Sequence, residues 1–79
     1  MKVNVQYFAM LKESVGKSEE LVEINPMPIL DFYDHLNAKY QFKLNEKDIR
    51  FAVNDHFVDS DYLLKENDDI VFIPPVGGG

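Results

Sequence analysis

The stretch "DDIVFIPPVGGG", residues 68–79, decides the fold, because it joins an apolar segment directly to a tail rich in proline and glycine. The run "IVFI" at 70–73 is typical of a strand that is covered on both faces and lies at the centre of a sheet. Proline follows at once and cannot continue a β-ladder, since it has no amide N–H. We therefore expect a central strand at 70–73 and a tail that leaves the sheet at Pro74.

The tail has the composition of a stiff stalk with a slender tip. Five of the chain's eight glycines and prolines lie in its last six positions. Paired prolines favour the extended polyproline conformation, and glycine, without a Cβ, passes where branched side chains cannot. Six extended residues reach on the order of 20 Å. We expect a folded domain over 1–73 and a flexible tail over 74–79 that threads a narrow channel. The tail residues are Pro74, Pro75, Val76, Gly77, Gly78 and Gly79.

Length and composition narrow the possible functions. Seventy-nine residues make one domain, and a hydrophobic fraction of 46% is sufficient for it to fold. The chain has no cysteine, which excludes disulfides and cysteine-based zinc sites, and His35 and His56 lack metal-ligand spacing. No apolar run approaches the roughly 18 residues of a membrane span. A net charge of −6 without a basic patch argues against nucleic acid. We expect a cytoplasmic domain that binds neither metal, membrane nor nucleic acid.

The first half of the chain predicts two strands and the main helix. Alternation over 2–8, with Val3, Val5 and Tyr7 on one face, predicts a strand. A short helical turn follows, with Gly16 as its C-terminal stop, and 18–24 predicts the second strand. Within 25–42, apolar residues recur at helical spacing and form one stripe that faces the core. The members of that stripe are Ile29, Phe32, Tyr33, Leu36 and Tyr40.

The second half predicts three further strands. The segment 48–54 alternates, and Asn54-Asp55 favours a tight hairpin into 56–59. A polar connection with an apolar anchor pair, Leu63 and Leu64, then leads to the strand at 70–73. This order places the first and last strands side by side and parallel, with the helix across one face. It predicts an α+β fold of the β-grasp, or ubiquitin-like, type with an extended Gly-Gly tail.

The C-terminal carboxylate gives this fold a chemical use. A free carboxylate is ionised at neutral pH and is a poor acyl donor. A partner that uses ATP can convert it to an acyl-adenylate, and a terminal glycine leaves that carbonyl open to a sulfur or amine nucleophile. The chain itself has no nucleophile paired with a base, since Ser14, Ser18 and Ser60 are scattered. We expect a substrate-like subunit that is not catalytic alone and binds no cofactor.

Three segments carry a resemblance to the small subunits of molybdopterin synthase, which are sulfur carriers of molybdenum-cofactor biosynthesis. These are "VQYFAMLKE" at 5–13, "FAVN" at 51–54 and "NDDIVFIPPVGGG" at 67–79. The resemblance implies that Gly79 is adenylated by a ubiquitin-activating-like adenylyltransferase and becomes a thiocarboxylate. It also implies that the tail enters the large synthase subunit, where the sulfur passes to cyclic pyranopterin monophosphate.

The same resemblance implies a partner interface at Phe8, Lys12, Phe57 and Ile73, in a heterotetramer of two small and two large subunits. Strand parity agrees in one respect, because Phe57 and Val58 must face opposite sides. The alternative is that these apolar residues are ordinary core.

Two other functions stay open. The chain resembles related carriers for thiamine thiazole and ubiquitin-like protein modifiers, which use the same activated glycine and a different acceptor. A protein of another class, an interaction module with an inert tail, would share the fold and need no glycine at its end.

Overall fold

The computed structural model describes residues 1–74, which form a five-stranded mixed sheet with one long helix across one face. The elements follow the predicted order, with a short helix between the first two strands and a single 3-10 turn before the third. Their bounds are β1 (Lys2–Gln6), α1 (Ala9–Val15), β2 (Glu19–Glu23), α2 (Ile29–Tyr40), the 3-10 turn (Glu46–Asp48), β3 (Arg50–Val53), β4 (His56–Val58) and β5 (Asp69–Ile73).

The strand order across the sheet is β2-β1-β5-β3-β4. Strands β1 and β5 are parallel and adjacent, with Val5 opposite Ile70 and Gln6 opposite Val71. The other pairs are antiparallel. The predicted β-grasp is confirmed, and β5 is the central strand. No helix within residues 1–74 is long and apolar enough to cross a membrane.

The core lies between α2 and one face of the sheet. Alternation along each strand sends every second side chain inward, so the predicted stripe of α2 meets a continuous apolar surface. Four members of the stripe are buried, whereas Tyr40, near the end of the helix, is half-buried. The sheet contributes the buried side chains of Val3, Val5, Tyr7, Phe51, Val53, Ile70 and Phe72.

Helix ends and turns follow from local chemistry. Pro28 is the N-cap of α2, so the helix begins one residue after it and several residues later than the predicted segment. Gly16 ends α1 in the left-handed conformation, at φ 86°, as predicted. Asn54 and Asp55 also have positive φ, which makes the tight turn between β3 and β4.

Two expectations about burial are wrong. Leu64 is buried, but Leu63 is 61% exposed, so the connection before β5 has one apolar anchor and not two. Strand β5 is covered on one face only: Ile70 and Phe72 are buried, whereas Val71 and Ile73 are half-exposed. A continuous apolar run therefore marks the central strand here without marking a second covering layer.

Candidate docking face and tail base

The tail begins at one end of the central strand. Ile73 ends β5, and Pro74, the last described residue, follows half-buried. Because β1 and β5 are parallel, Phe8 lies two residues beyond Gln6 at the same end of the sheet as Ile73. Strand β3 brings Arg50 opposite Ile73. The residues that surround the tail base thus come from three chain segments that are distant in sequence.

The tail beyond Pro74 lies outside the described residues. The predictions for Pro75, Val76, Gly77, Gly78 and Gly79 therefore stay predictions, as does the division of the chain into a domain over 1–73 and a tail over 74–79. The structure fixes only where the tail leaves the sheet.

The sheet face that turns away from α2 carries an open apolar surface, here called the docking face. It is formed by Arg50, Phe57, Val71 and Ile73 around Ala52, which is itself only 9% exposed, at alternate positions of three adjacent strands. Ala52 lies opposite Phe57 on one side and Val71 on the other, so the three make a row across the sheet. The Phe57 side chain is 68% exposed. A surface aromatic of this size beside other apolar groups is typical of a protein-interaction site.

A groove at the other side of the tail base holds two of the predicted interface residues. Phe8, which is the N-cap of α1 and 49% exposed, lines it together with Lys12 of α1. Its other lining residues are Gln6, Tyr7, Ala9, Ser18 and Glu19. In the sheet order, Ile73 on β5 lies between β1, which leads to Phe8, and β3, which pairs with the Phe57 strand.

All four predicted interface residues therefore lie at the surface and around one end of the sheet. For Phe8 and Phe57 the alternative of ordinary core is wrong, since both are exposed. Their role in docking stays a prediction. The expectation that Phe57 and Val58 face opposite sides of the sheet is confirmed, because Val58 packs against the core and Phe57 is exposed.

The sequence interpretation missed Arg50, Ala52 and Val71, which share the docking face. The signal was available: these residues have the parity opposite to Phe51, Val53 and Phe72, which the alternating pattern assigns to the core. Ala52 lies between two apolar core residues and was not distinguished from them, and Arg50 was interpreted only as a strand position.

A hydrogen-bonded clasp holds the start of β5 at the opposite end of the sheet from the tail. The Asp68 side chain, only 4% exposed, accepts hydrogen bonds from Asn54 Nδ2 at 3.0 Å, the Tyr62 hydroxyl at 3.1 Å and the Lys65 amide at 2.8 Å. The Asp69 amide in turn donates to Asn54 Oδ1 at 3.0 Å. Partial burial and the Asp68 carboxylate raise the pKa of Tyr62.

The clasp gives a physical reason for two of the segments that carry the resemblance, "FAVN" and "NDD". Asn54 is the last residue of the first segment, and Asp68 lies in the second. Their contact fixes where β5 starts, and hence how far along the sheet its other end and the tail base lie.

A second polar cluster joins β2 to the core. Glu20 accepts hydrogen bonds from the Tyr7 hydroxyl at 2.7 Å and the Tyr40 hydroxyl at 2.9 Å, and it pairs with Lys17 at 3.2 Å. Partial burial acts to raise the pKa of Glu20, but these three donors together outweigh it and hold that pKa below the usual value. Burial and the Glu20 carboxylate raise the pKa of Tyr7.

Neither cluster offers a reaction centre. Each carboxylate is saturated by donors that come from the fold itself, as expected for structural groups. His35 and His56 are exposed, and the described part of the chain holds no group of three or more His, Asp or Glu side chains placed to bind a metal ion.

Comparison with known proteins identifies the family. The chain belongs to the ThiS family, whose family model matches residues 5–79. It is 30% identical to the molybdopterin synthase sulfur carrier subunit of Mycobacterium tuberculosis, over all of this chain and 99% of that protein.

Solved structures agree in fold. A chain in the complex of subunits 1 and 2 of the molybdopterin-converting factor from Helicobacter pylori matches with a TM-score of 0.70 and 29% identity, and all of both chains is covered. The small archaeal modifier protein 1 from Methanosarcina acetivorans matches with a TM-score of 0.77 and 28% identity, over 99% of this chain and 96% of that one.

Proposed function

We propose that this member of the ThiS family is the sulfur carrier of a molybdopterin synthase. Its C-terminal glycine, Gly79, is adenylated, converted to a thiocarboxylate and brought to cyclic pyranopterin monophosphate inside the large synthase subunit. The chain is the sulfur-carrying subunit of a sulfurtransferase, and the catalytic groups belong to its partners.

One observation carries the proposal: the tail leaves the central strand at the edge of an exposed apolar face. A carrier must dock by its body and deliver its terminus at a fixed reach. Ile73 and Arg50 are paired across β5 and β3 at the tail base, and Phe57 lies on the next strand. A partner that covers this face holds the first residue of the tail at its own surface.

The chemistry needs two steps at the same carboxyl group. A Gly79 carboxylate oxygen attacks the α-phosphorus of ATP and pyrophosphate leaves, which gives the acyl-adenylate. A sulfur nucleophile supplied by a donor then attacks the acyl carbon, and AMP departs with the bridging oxygen. One oxygen of the carboxylate is exchanged for sulfur. The three terminal glycines leave the acyl carbon unhindered.

The partners follow from these steps. The large synthase subunit receives the tail, and the complex of subunits 1 and 2 from Helicobacter pylori supports such a pairing. The proposal adds a ubiquitin-activating-like adenylyltransferase, which uses ATP, and a heterotetramer of two small and two large subunits. It places the chain in the cytoplasm, where ATP is supplied. The chain binds no cofactor of its own.

Single-turnover sulfur transfer tests the proposal. The carrier is first incubated with the adenylyltransferase, ATP and a sulfur donor, and intact mass is measured for the exchange of one oxygen for one sulfur. The loaded carrier is then mixed with the large subunit and the pyranopterin precursor. We expect the mass change at the C-terminal peptide and product formation from the loaded carrier alone.

Two tail variants make the test specific. Deletion of Gly79 shortens the tail by roughly 3.5 Å, and misplacement by 1 Å can already cost about a hundredfold in rate. An extra residue after Gly79 replaces the reacting carboxylate with a peptide bond. Both variants are expected to fold and dock normally and to transfer no sulfur, whereas Glu13→Gln, an exposed change on α1, retains full transfer. Undiminished transfer after deletion of Gly79 would overturn the proposal.

A second candidate function is conjugation to proteins, since the small archaeal modifier protein 1 shares the fold. Conjugation would use the same Gly79 adenylate, with a lysine amine of the target as acceptor in place of the sulfur nucleophile. The distinguishing readout is the product. A protein modifier gives a branched conjugate in which the mass of this chain is added to that of a target. A carrier for the thiamine thiazole is loaded with sulfur but does not convert the pyranopterin precursor.

The remaining alternative is an interaction module with an inert tail. Such a protein would bind its partner equally well after removal of Gly78 and Gly79, and the full chain would show no change in mass after incubation with the adenylyltransferase, ATP and donor.

A further inference from the structure

We propose that Arg50 is a specificity residue of the docking face, and that it receives a carboxylate of the large subunit when that subunit covers the face. This inference rests on the proposed function, because the occupant is the partner that takes up the tail.

Strand geometry holds the Arg50 side chain beside Phe57. Ala52 and Phe57 are direct partners on β3 and β4, and Arg50 is two residues from Ala52 on the same side of the sheet. Arg50 and Phe57 are therefore diagonal neighbours, a separation that long and aromatic side chains bridge. The guanidinium carbon lies 5.8 Å from the centroid of the Phe57 ring, within the range of a cation–π contact.

The charge of Arg50 is not matched inside the described chain. Arg50 forms no ion pair with any side chain that the structure describes, although a surface groove is lined by Arg50, Phe57 and Asp59 together. A guanidinium carries five N–H donors in a planar fork, and those of Arg50 donate to no residue that the structure describes. Those donors match the two oxygens of a carboxylate in a fork geometry.

Docking would make this unmatched charge costly. Arg50 lies opposite Ile73 and beside Phe57, so a partner that covers these two apolar side chains also removes water from the guanidinium. A buried cation is strongly unfavourable unless an anion and hydrogen bonds replace its hydration. The partner surface that fits is thus apolar with one carboxylate at the position facing Arg50.

The overall charge of the chain makes that pairing selective for one docking position. The chain carries 14 acidic residues and a net charge of −6, and Arg50 is its single arginine. Acidic groups of a partner are repelled over most of the surface and favoured at this point. A single carboxylate therefore fixes the register of docking, and surfaces that lack it leave the cation unpaired.

The test compares two charge-neutralising variants of the full-length chain. Arg50→Met keeps much of the aliphatic stem and loses the charge, and Lys47→Met removes the same charge from the exposed 3-10 turn outside the docking face. The dissociation constant for the large subunit is measured by titration calorimetry, after circular dichroism has shown that both variants are folded. We expect Arg50→Met to weaken binding at least about tenfold and Lys47→Met less than about twofold.

A charge exchange separates a paired carboxylate from mere support of the Phe57 ring. Arg50→Glu is combined with large subunits in which each acidic residue of the contact region is changed singly to Lys. We expect one such change to restore binding to Arg50→Glu while it weakens binding to the unmodified chain.

Three outcomes would overturn the inference: equal effects of Arg50→Met and Lys47→Met, no rescue by any exchanged acid, or full affinity of Arg50→Glu. In each of these the unmodified chain still binds and transfers sulfur, so the proposed function stands. Failure of the unmodified chain to bind the large subunit at all would instead reject the proposed function and this inference with it.

Discussion

The two faces of the sheet are made by the same strands and differ in what covers them. On the face covered by α2, Phe72 meets Tyr33 with ring centroids 5.3 Å apart and Phe51 at 5.7 Å, both edge-on, and all three side chains are buried. On the docking face, one residue further along β5, Ile73 is half-exposed beside the tail base. Adjacent residues of one strand thus differ in burial, because a strand alternates its side chains, and only the exposed one is available for the docking proposed above. Substitutions on the two faces should affect different measurements.

The largest effect on stability is expected at the centre of the covered face. Phe72→Ala leaves a cavity among three aromatic rings and should lower the free energy of unfolding by about 3–5 kcal/mol. Urea unfolding followed by circular dichroism measures it. The matched control is Ile73→Ala, which removes a half-exposed side chain from the next position and should cost clearly less. Equal losses at both positions would show that the two faces do not differ in this way.

The clasp at the start of β5 should rank second. Asp68→Asn keeps the shape of the side chain but replaces one carboxylate oxygen with an NH2 group. That group cannot accept a hydrogen bond from the donor it then faces, which is the Tyr62 hydroxyl or a backbone or side-chain N–H. Leaving such a buried donor unmatched should cost about 1–3 kcal/mol. Asp61→Asn, at an exposed position in the same connection, is the control and should be nearly neutral. If the two variants unfold at the same urea concentration, the clasp does not stabilise the sheet.

The Glu20 cluster should show a smaller effect that depends on pH. The folded-state pKa of Glu20 lies below its ordinary value of 4.5, so the carboxylate contributes stability above the unfolded-state pKa and loses it as pH falls through the folded-state pKa. Glu20→Gln should cost about 1–2 kcal/mol at neutral pH. The difference from the unsubstituted chain should shrink in acid.

The measurement is urea unfolding of both proteins at a series of pH values, with Glu13→Gln as the exposed control. A constant difference between Glu20→Gln and the unsubstituted chain, from neutral pH into acid, would contradict the role given to the ionised carboxylate.

The smallest effect on stability is expected on the docking face. Phe57→Ala should change the free energy of unfolding by less than about 0.5 kcal/mol, yet weaken binding to the large subunit by roughly 1–2 kcal/mol or more. Leu21→Ala is the matched control, since Leu21 is 67% exposed on the edge strand β2, two strands away from β5. It should leave both quantities unchanged. If Phe57→Ala unfolds the domain and leaves the affinity of the folded fraction intact, the docking role proposed for Phe57 is wrong.

The order of elements could be predicted well, because periodicity is local. Alternation placed Val5 and Phe51 in strands, helical spacing placed Phe32 and Leu36 inside, and Gly16 marked a helix end, each from a few neighbouring residues. Bounds were less accurate: α2 begins at Ile29, not within the preceding proline segment, because Pro28 serves as the N-cap. Leu63 shows the limit of the same reasoning, since hydrophobicity alone does not say which of two adjacent leucines finds a partner.

The sequence by itself determined the β-grasp order and the strand that precedes Pro74, because these depend on spacing along the chain. Only the tertiary structure decided which residues that are distant in sequence contact one another. Asn54 and Asp68 are 14 residues apart and form the clasp, and Arg50 lies against Phe57 and opposite Ile73. The open side of β5 was also decided there, since the one long helix covers a single face of the sheet. Such contacts depend on register and on which layer covers which face, and neither is encoded in the periodicity of a single segment.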